Sequence, residues 1–180
     1  MTSIPKRASC SCSAARGVAI GALLLVFAFD LHGADSAVRV QLDLKKAGPR
    51  AVESLTERGI LRDYRLACTS MAQALEFNTA DPLEGPFAGE AKRQLLETVT
   101  QQQRSGLSQR HVDQNHRLEA VFYAPEGDVM ELHDTAGYQL QVLEGGKIIH
   151  DEQVVMHFVV LMTPGADRWV IRQLQAVPQF

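Results

Sequence analysis

The sequence predicts an α+β domain in which two or three amino-terminal helices pack on a strongly curved antiparallel sheet of four or more strands. Residues 54–103 carry apolar side chains at steps of three and four, the spacing of amphipathic helices. Residues 116–177 instead alternate apolar and polar side chains with a period of two, interrupted by turn residues. Helices gathered before a run of strands indicate an α+β plan with one covered sheet face.

The first 34 residues are predicted to be a signal peptide or a short amino-terminal anchor. Lys6, Arg7 and Arg16 precede an uninterrupted apolar run at 17–29, and small residues follow it. A run of 13 residues is shorter than the ~20 that a bilayer span requires, but it is typical of a secretory signal. Both interpretations place the folded part in the periplasm or outside the cell. Only this segment is expected to contact a membrane.

Cysteine use and charge narrow the classes of function. Cys10 and Cys12 precede the apolar run, so only Cys68 remains in a processed chain and no intramolecular disulfide can form there. Cys68 lies in a helical pattern and is expected to be buried. The chain carries −3; removing residues 1–34 takes away three basic residues and one acidic residue, which leaves 15 against 20, or −5. A mildly acidic domain without a basic run is not expected to bind nucleic acid.

The helical half follows a predicted linker at residues 35–53, in which alternating apolar residues also allow a short strand. The folded domain is predicted to span 54–180. Its first helix begins at Ser54, with Glu57 at capping-box spacing. The apolar face of this helix consists of Ile60, Tyr64, Ala67, Met71 and Leu75.

A second helix is predicted at 87–103, after a segment that contains two prolines and a glycine. Phe87, Ala91, Leu95 and Val99 form its apolar face. The polar stretch 107–115 is expected to be an exposed connector to the sheet.

Four strands joined by short turns are predicted after this connector. They lie at 117–123, 129–142, 154–162 and 168–172. Gly145 and Gly146 supply the positive φ angles that a tight hairpin needs. In the second strand, Thr135-Ala136-Gly137 can hold a β-bulge, which leaves open which face each neighbouring residue takes. The third strand is apolar on both faces and is expected to be central and covered on both sides.

The order of these elements resembles the nuclear transport factor 2-like superfamily, the cone-shaped fold also used by SnoaL-like proteins. The resemblance covers about residues 54–177 and rests on the two helices, Tyr138, and Arg168-Trp169-Val170-Ile171 in the last strand. Within the superfamily, a targeting segment followed by one such domain is similar to periplasmic domains of type IV secretion factors and to intermembrane-space domains of plastid division proteins. These resemblances imply protein assembly without catalysis, by analogy of fold.

The candidate catalytic residues are His157, Asp134 and Tyr138. A histidine among apolar residues on the central strand can act as an acid or a base inside the cone, and the other two can join it if they point inward. The alternative interpretation of His157 is a hydrogen-bonded core residue. The side chains that can bind zinc are those of His111, Asp113, His116, His133 and Asp134, but no recognised ligand spacing supports a metal site. No metal and no cofactor are therefore expected.

The sequence favours a non-enzymatic, exported module that binds a protein partner or forms a homodimer through its sheet face. The alternative is a small apolar ligand pocket, or a SnoaL-like isomerase, cyclase or hydratase, which requires a cavity of roughly 300 Å³ or more between helices and sheet.

Overall fold

The computed structural model describes residues 38–180, which belong to a compact unit that spans Asp35–Phe180. The predicted targeting segment and its apolar run lie outside the described residues. Among the residues described, no helix is long and apolar enough to cross a bilayer. In chain order the elements are β1 (Arg39–Asp43), α1 (Ser54–Phe77), a 3-10 turn (Asp81–Leu83), α2 (Gly89–Ser105), β2 (Leu107–Tyr123), β3 (Met130–Glu144), β4 (Lys147–Pro164) and β5 (Trp169–Val177).

The five strands form one mixed sheet in the order β1-β2-β3-β4-β5. Strands β2 to β5 are the predicted antiparallel meander. Strand β1 lies in the predicted linker and pairs with β2 in parallel, so the expectation of a wholly antiparallel sheet is wrong at this edge. Val40 and Leu42 pack against the hydrophobic core, which explains why this short alternating segment forms a strand. The α+β class is confirmed.

The helices begin and end close to the predicted positions. The residue before α1 is Glu53, whose side chain makes no capping hydrogen bond, so the capping box expected from Ser54 does not form. The helix ends at Asn78, which adopts the left-handed conformation and donates its backbone N–H to the Ala74 carbonyl. Phe87 precedes α2 because it forms a parallel bridge with Ile171 of β5.

The largest correction concerns residues 107–115. This stretch is not an exposed connector: it forms the first half of β2, and Gln114 within it is buried. The pairing with β3 shifts between Val112 and Asn115, where Asp113 has a φ of 52°. The bulge therefore lies on β2, whereas residues 135–137 of β3 pair without a shift. This bulge breaks the alternation from which a strand is recognised.

The two faces of the sheet differ in their surroundings. We call the side that packs against α1 and α2 the inner face; its buried side chains are Leu118, Ala120, Leu132, Val160 and Met162. The opposite side, the outer face, is not covered by the helices. Val155 on this side is 63% exposed. The expectation that both faces of 154–162 are covered is therefore wrong for the outer face.

Candidate functional site

A buried polar cluster connects α1 to the inner face of the sheet. The Tyr64 hydroxyl donates to Asp134 Oδ2 at 2.7 Å, and Nδ1 of His116 lies 2.7 Å from the same oxygen. Tyr64 comes from α1, Asp134 from β3 and His116 from β2, and all three are buried. We call these three residues the inner cluster. As a carboxylate, Asp134 accepts both hydrogen bonds, which are of the short, charge-assisted kind.

One oxygen of the inner cluster has no partner. Asp134 Oδ1 is buried and makes no hydrogen bond among residues 38–180. On the far side of the histidine, Nε2 lies 3.3 Å from Gln114 Oε1, which completes the imidazole contacts. A buried unpaired carboxylate oxygen costs free energy. Its location therefore identifies the point of the inner face at which a further hydrogen-bond donor would be stabilising.

The space beside the inner cluster is too small for an organic substrate. The cavity at this point has a volume of about 10 Å³, roughly the smallest that can hold a single water molecule. Known small-molecule pockets are far larger, on the order of 300–1,000 Å³. Apolar side chains fill the remaining room: Met71, Phe87, Phe158, Ile171 and Leu174.

Burial keeps the Tyr64 hydroxyl and the Cys68 thiol protonated. It raises the pKa of the Tyr64 phenol well above its usual value, and the nearby Cys68 and Asp134 side chains act in the same direction. Burial also raises the pKa of the Cys68 thiol well above its usual value, with Asp134 as a further cause. Cys68 is buried as predicted, and it lacks the thiolate character of a reactive cysteine.

An aromatic pair lies farther along the inner face. His111 stacks on Tyr138, with ring centroids 4.3 Å apart and an interplanar angle of 29°. Burial, helped by the charge of His116, lowers the pKa of His111 to about 4. Burial and then the charge of Asp134 raise the pKa of Tyr138. With a pKa of about 4, this histidine is neutral at pH 7. Its buried Nδ1 atom has no hydrogen-bond partner among residues 38–180.

The structure separates the predicted site residues. Asp134 and Tyr138 lie on the inner face, because β3 alternates without interruption between them. His157 pairs with Thr135 and lies on the outer face, where its Nδ1 is 3.3 Å from Thr135 Oγ1. The histidine beside Asp134 is therefore His116, and the expected grouping of His157 with Asp134 has to be revised. His157 also contacts the Phe180 ring, with centroids 5.1 Å apart.

The sequence contains only indirect signals for Tyr64 and His116 as members of the inner cluster. Tyr64 is part of the predicted apolar face of α1, so its hydroxyl was not assigned a partner. His116 precedes Leu118 and Ala120 at the period of two, which places it on their face. That alternation was the signal that could have paired His116 with the core.

Residues 38–180 contain no group of three histidine, cysteine, aspartate or glutamate side chains that could hold a metal ion. Of the residues considered for zinc, His111 and His116 lie on the inner face with Asp134, whereas His133 stacks on Phe180 on the outer face. Their separation follows from the register of β2 and β3.

The described chain is thus an α+β domain whose helices cover one face of a mixed sheet. A scan against protein-family models finds no match, and neither does a search of curated proteins. Among solved structures, the chain is similar to the intermembrane space region of the chloroplast protein ARC6, with a TM-score of 0.55 and 10% identity over 72% of this chain and 98% of that one. At this identity the likeness shows a related fold alone. It agrees with the expected resemblance to a plastid intermembrane-space domain at the level of fold.

Proposed function

We propose that the chain is an exported, non-enzymatic module of nuclear transport factor 2-like, cone-shaped fold that forms a homodimer or binds a protein partner through the outer face. The observation that carries this proposal is the apolar row on the uncovered side of β4. Val155, Val159 and Leu161 stand two or four residues apart and point to the same side, with Val155 63% exposed. Apolar surface that no helix covers is characteristic of an interaction site.

Two aromatic side chains extend the row. Phe122 of β2 is 39% exposed, and Phe180 is 52% exposed and stacks on His133 at a centroid distance of 4.2 Å. Large aromatic groups contribute strongly to protein interfaces because they bury much area at low entropic cost. Polar side chains alternate with these apolar ones, among them Arg117 and Glu119. Such a mixed composition is usual for interfaces that form between folded partners.

The closed interior supports an interaction role over catalysis. The inner cluster has the chemical groups of an acid–base site, but the cavity of about 10 Å³ leaves no room for a substrate beside it. Its two short hydrogen bonds instead tie α1 to β2 and β3. The structural neighbour is an intermembrane space region, which supports an extracytoplasmic location together with the predicted targeting segment.

The test measures self-association of the exported protein by sedimentation velocity over a wide concentration range. We expect a dimer that dissociates when Val155 is replaced by Glu, because the charge would be buried in the interface. Leu66→Glu is the matched control, since Leu66 is an exposed apolar residue of α1, away from the outer face. A photo-crosslinker at position 155 extends the test to a different protein as partner. A monomer at all concentrations that forms no crosslink from this position would refute the proposal.

The alternative, a small apolar ligand site or SnoaL-like enzyme, is favoured by one observation. The unpaired Asp134 Oδ1 lies beside apolar side chains, and a ligand hydroxyl could donate to it if the cavity opened. A thermal-shift screen of small phenols and ketones tests this function. Compounds that stabilise the native protein but not Asp134→Asn would support it, whereas a screen without such compounds would count against it.

A further inference from the structure

We infer that the groove between α1 and the β4–β5 turn binds an extended acidic peptide segment of a partner protein. This groove has a volume of about 800 Å³ and lies away from the outer face, so the inference is independent of the proposed dimer surface. Its lining combines arginines with apolar side chains: Arg58, Arg62, Arg65 and Arg168 with Leu55, Leu61 and Trp169. We call it the arginine groove.

The floor of the arginine groove is held in place by hydrogen bonding and close packing. The backbone N–H of Trp169 donates to the buried carboxylate of Asp63 at 2.7 Å. A Cβ at Gly59 would stand 3.4 Å from the indole Cδ1, an ordinary van der Waals distance, so α1 and the indole ring pack closely at this point. The indole N–H has no hydrogen-bond partner among residues 38–180 and is not one of the buried unpaired atoms. It is therefore an unpaired donor that is not fully buried, on a residue that lines the groove.

The charges of the arginine groove do not cancel. Arg62 is paired with Asp63 and Arg168 with Asp167, through nitrogen–oxygen distances of 2.7 and 2.6 Å. Arg58 and Arg65 are exposed and have no carboxylate within ion-pair distance among the described residues. Arg65 donates through Nε to the Val38 carbonyl at 3.3 Å, so it would bind a ligand through its two terminal nitrogens. These two guanidinium groups give the groove a positive charge on a domain with an acidic balance. Guanidinium groups bind carboxylates through paired hydrogen bonds, which gives directional recognition of aspartate and glutamate.

The apolar part of the lining indicates a peptide more than a simple anion. Leu55 is 77% exposed, and Leu61 and Trp169 are half-buried. A ligand that covers them must carry an apolar side chain between its carboxylates. The groove is an open trough along the helix rather than an enclosed cavity, which suits an extended chain. The indole N–H can then donate to a peptide carbonyl, because it has no competing partner among residues 38–180.

The test uses a peptide array and the protein purified from cells that express the full chain. The array carries decapeptides rich in Glu and Asp around one Leu or Phe, the same peptides with Lys and Arg, and the acidic peptides with the apolar residue replaced by Gly. We expect binding to acidic peptides that contain the apolar residue. Trp169 is the only tryptophan, so its fluorescence reports occupancy of the groove directly during a titration.

Charge reversal at the groove should abolish this binding. We expect Arg58→Glu/Arg65→Glu to weaken the affinity for the best acidic peptide at least ~30-fold, since each charge-assisted contact that is lost costs several-fold or more. The matched control is Arg104→Glu/Lys147→Glu, which changes the net charge equally at two exposed basic residues. Neither of them lines the groove, and neither has a carboxylate within ion-pair distance among residues 38–180. The neutral variant Arg58→Gln/Arg65→Gln provides a second test if the reversed variant does not fold.

Several results would overturn the inference. It would be wrong if no peptide on the array binds or if the bound peptides show no acidic bias. It would also be wrong if the control variant weakens peptide binding as much as the groove variant does. If inorganic tripolyphosphate displaces the bound peptide as effectively as another acidic peptide does, the groove is a general anion site instead. Equal binding to vesicles of anionic phosphatidylglycerol, lost with the same two arginines, would identify a membrane surface and also refute the peptide assignment.

Discussion

Removal of a single hydroxyl group tests whether the inner cluster holds the helices on the sheet. In Tyr64→Phe the aromatic ring stays in place, but the 2.7 Å hydrogen bond to Asp134 is lost. Tyr64 is only 2% exposed, so bulk solvent does not reach the position of the missing donor. Asp134 would then keep a single partner, His116, because its other oxygen is already unpaired.

The expected cost follows from the charge of the acceptor. A hydrogen bond to a charged group contributes about 1.5–3 kcal/mol, and leaving a buried acceptor without its donor incurs the upper part of this range. We therefore expect the free energy of unfolding to fall by about 2–3 kcal/mol. For a domain of this size this corresponds to a decrease in Tm of about 5–10 °C.

Urea denaturation monitored by circular dichroism measures the change. The midpoint should shift to lower urea while the m-value stays constant, because the surface exposed on unfolding is nearly the same. Tyr138→Phe is the matched control: its ring stacks on His111, and its hydroxyl has no hydrogen-bond partner among residues 38–180. We expect this variant to lie within about 0.5 kcal/mol of the native protein. A similar result for Tyr64→Phe would show that the inner cluster contributes no net stability.

Three further predictions concern single positions. The pKa of His111 is about 4 in the folded protein against its usual 6.5. Between these two values the imidazole is protonated in the unfolded chain and neutral in the folded chain. Stability from this group is complete above pH 6.5 and is lost as the pH falls to 4, by about 2–3 kcal/mol, so His111→Phe should flatten that part of a urea-midpoint profile. Gly127→Ala should cost about 1–2 kcal/mol in the same assay, because φ is 78° and the new Cβ would stand 2.7 Å from Arg50 Nη1; Gly137→Ala, with no atom within 4 Å, should not destabilise. Asp63→Ala should lower the free energy of unfolding by about 1–3 kcal/mol and shift the tryptophan emission to the red, because the backbone N–H of Trp169 loses its buried acceptor. An unchanged emission would contradict this role of Asp63.

The fold was predictable where local signals agree with the tertiary structure. The glycines at 145 and 146 both have positive φ and join β3 to β4 as expected. The helix at 54–77 follows its apolar period to Asn78. The sequence left a strand or a linker open at β1 and did not predict its parallel pairing, and the expectation of a connector at 107–115 was wrong. In both places pairing with a distant segment decides the conformation. A five-residue strand such as Arg39–Asp43 is too short for its own pattern to exclude a linker.

The inner cluster was harder to predict because it joins residues far apart in the chain. Tyr64 and Asp134 are 70 residues apart, and nothing local to either one specifies their contact. For His157 the error is the opposite one, because its apolar neighbours predict an interior position that it does not take. The register with Thr135 places it on the outer face instead. A shift by one residue reverses the face of every side chain in a strand, so site predictions on strands depend on register.

Association through the outer face is more reasonable than strand pairing at the free edge of β4, because that edge is charged. Strand β5 pairs with residues 157–164 of β4, so in the described part of the chain no strand covers the same edge over 147–156. An open edge of this length invites pairing with a second chain. His150, Asp151 and Glu152 lie at its centre and are all exposed. Two antiparallel copies centred there would bring acidic residues of both chains together, which is destabilising. The edge is therefore protected by charge, whereas Val155, Val159 and Leu161 of the apolar row on the outer face are uncharged.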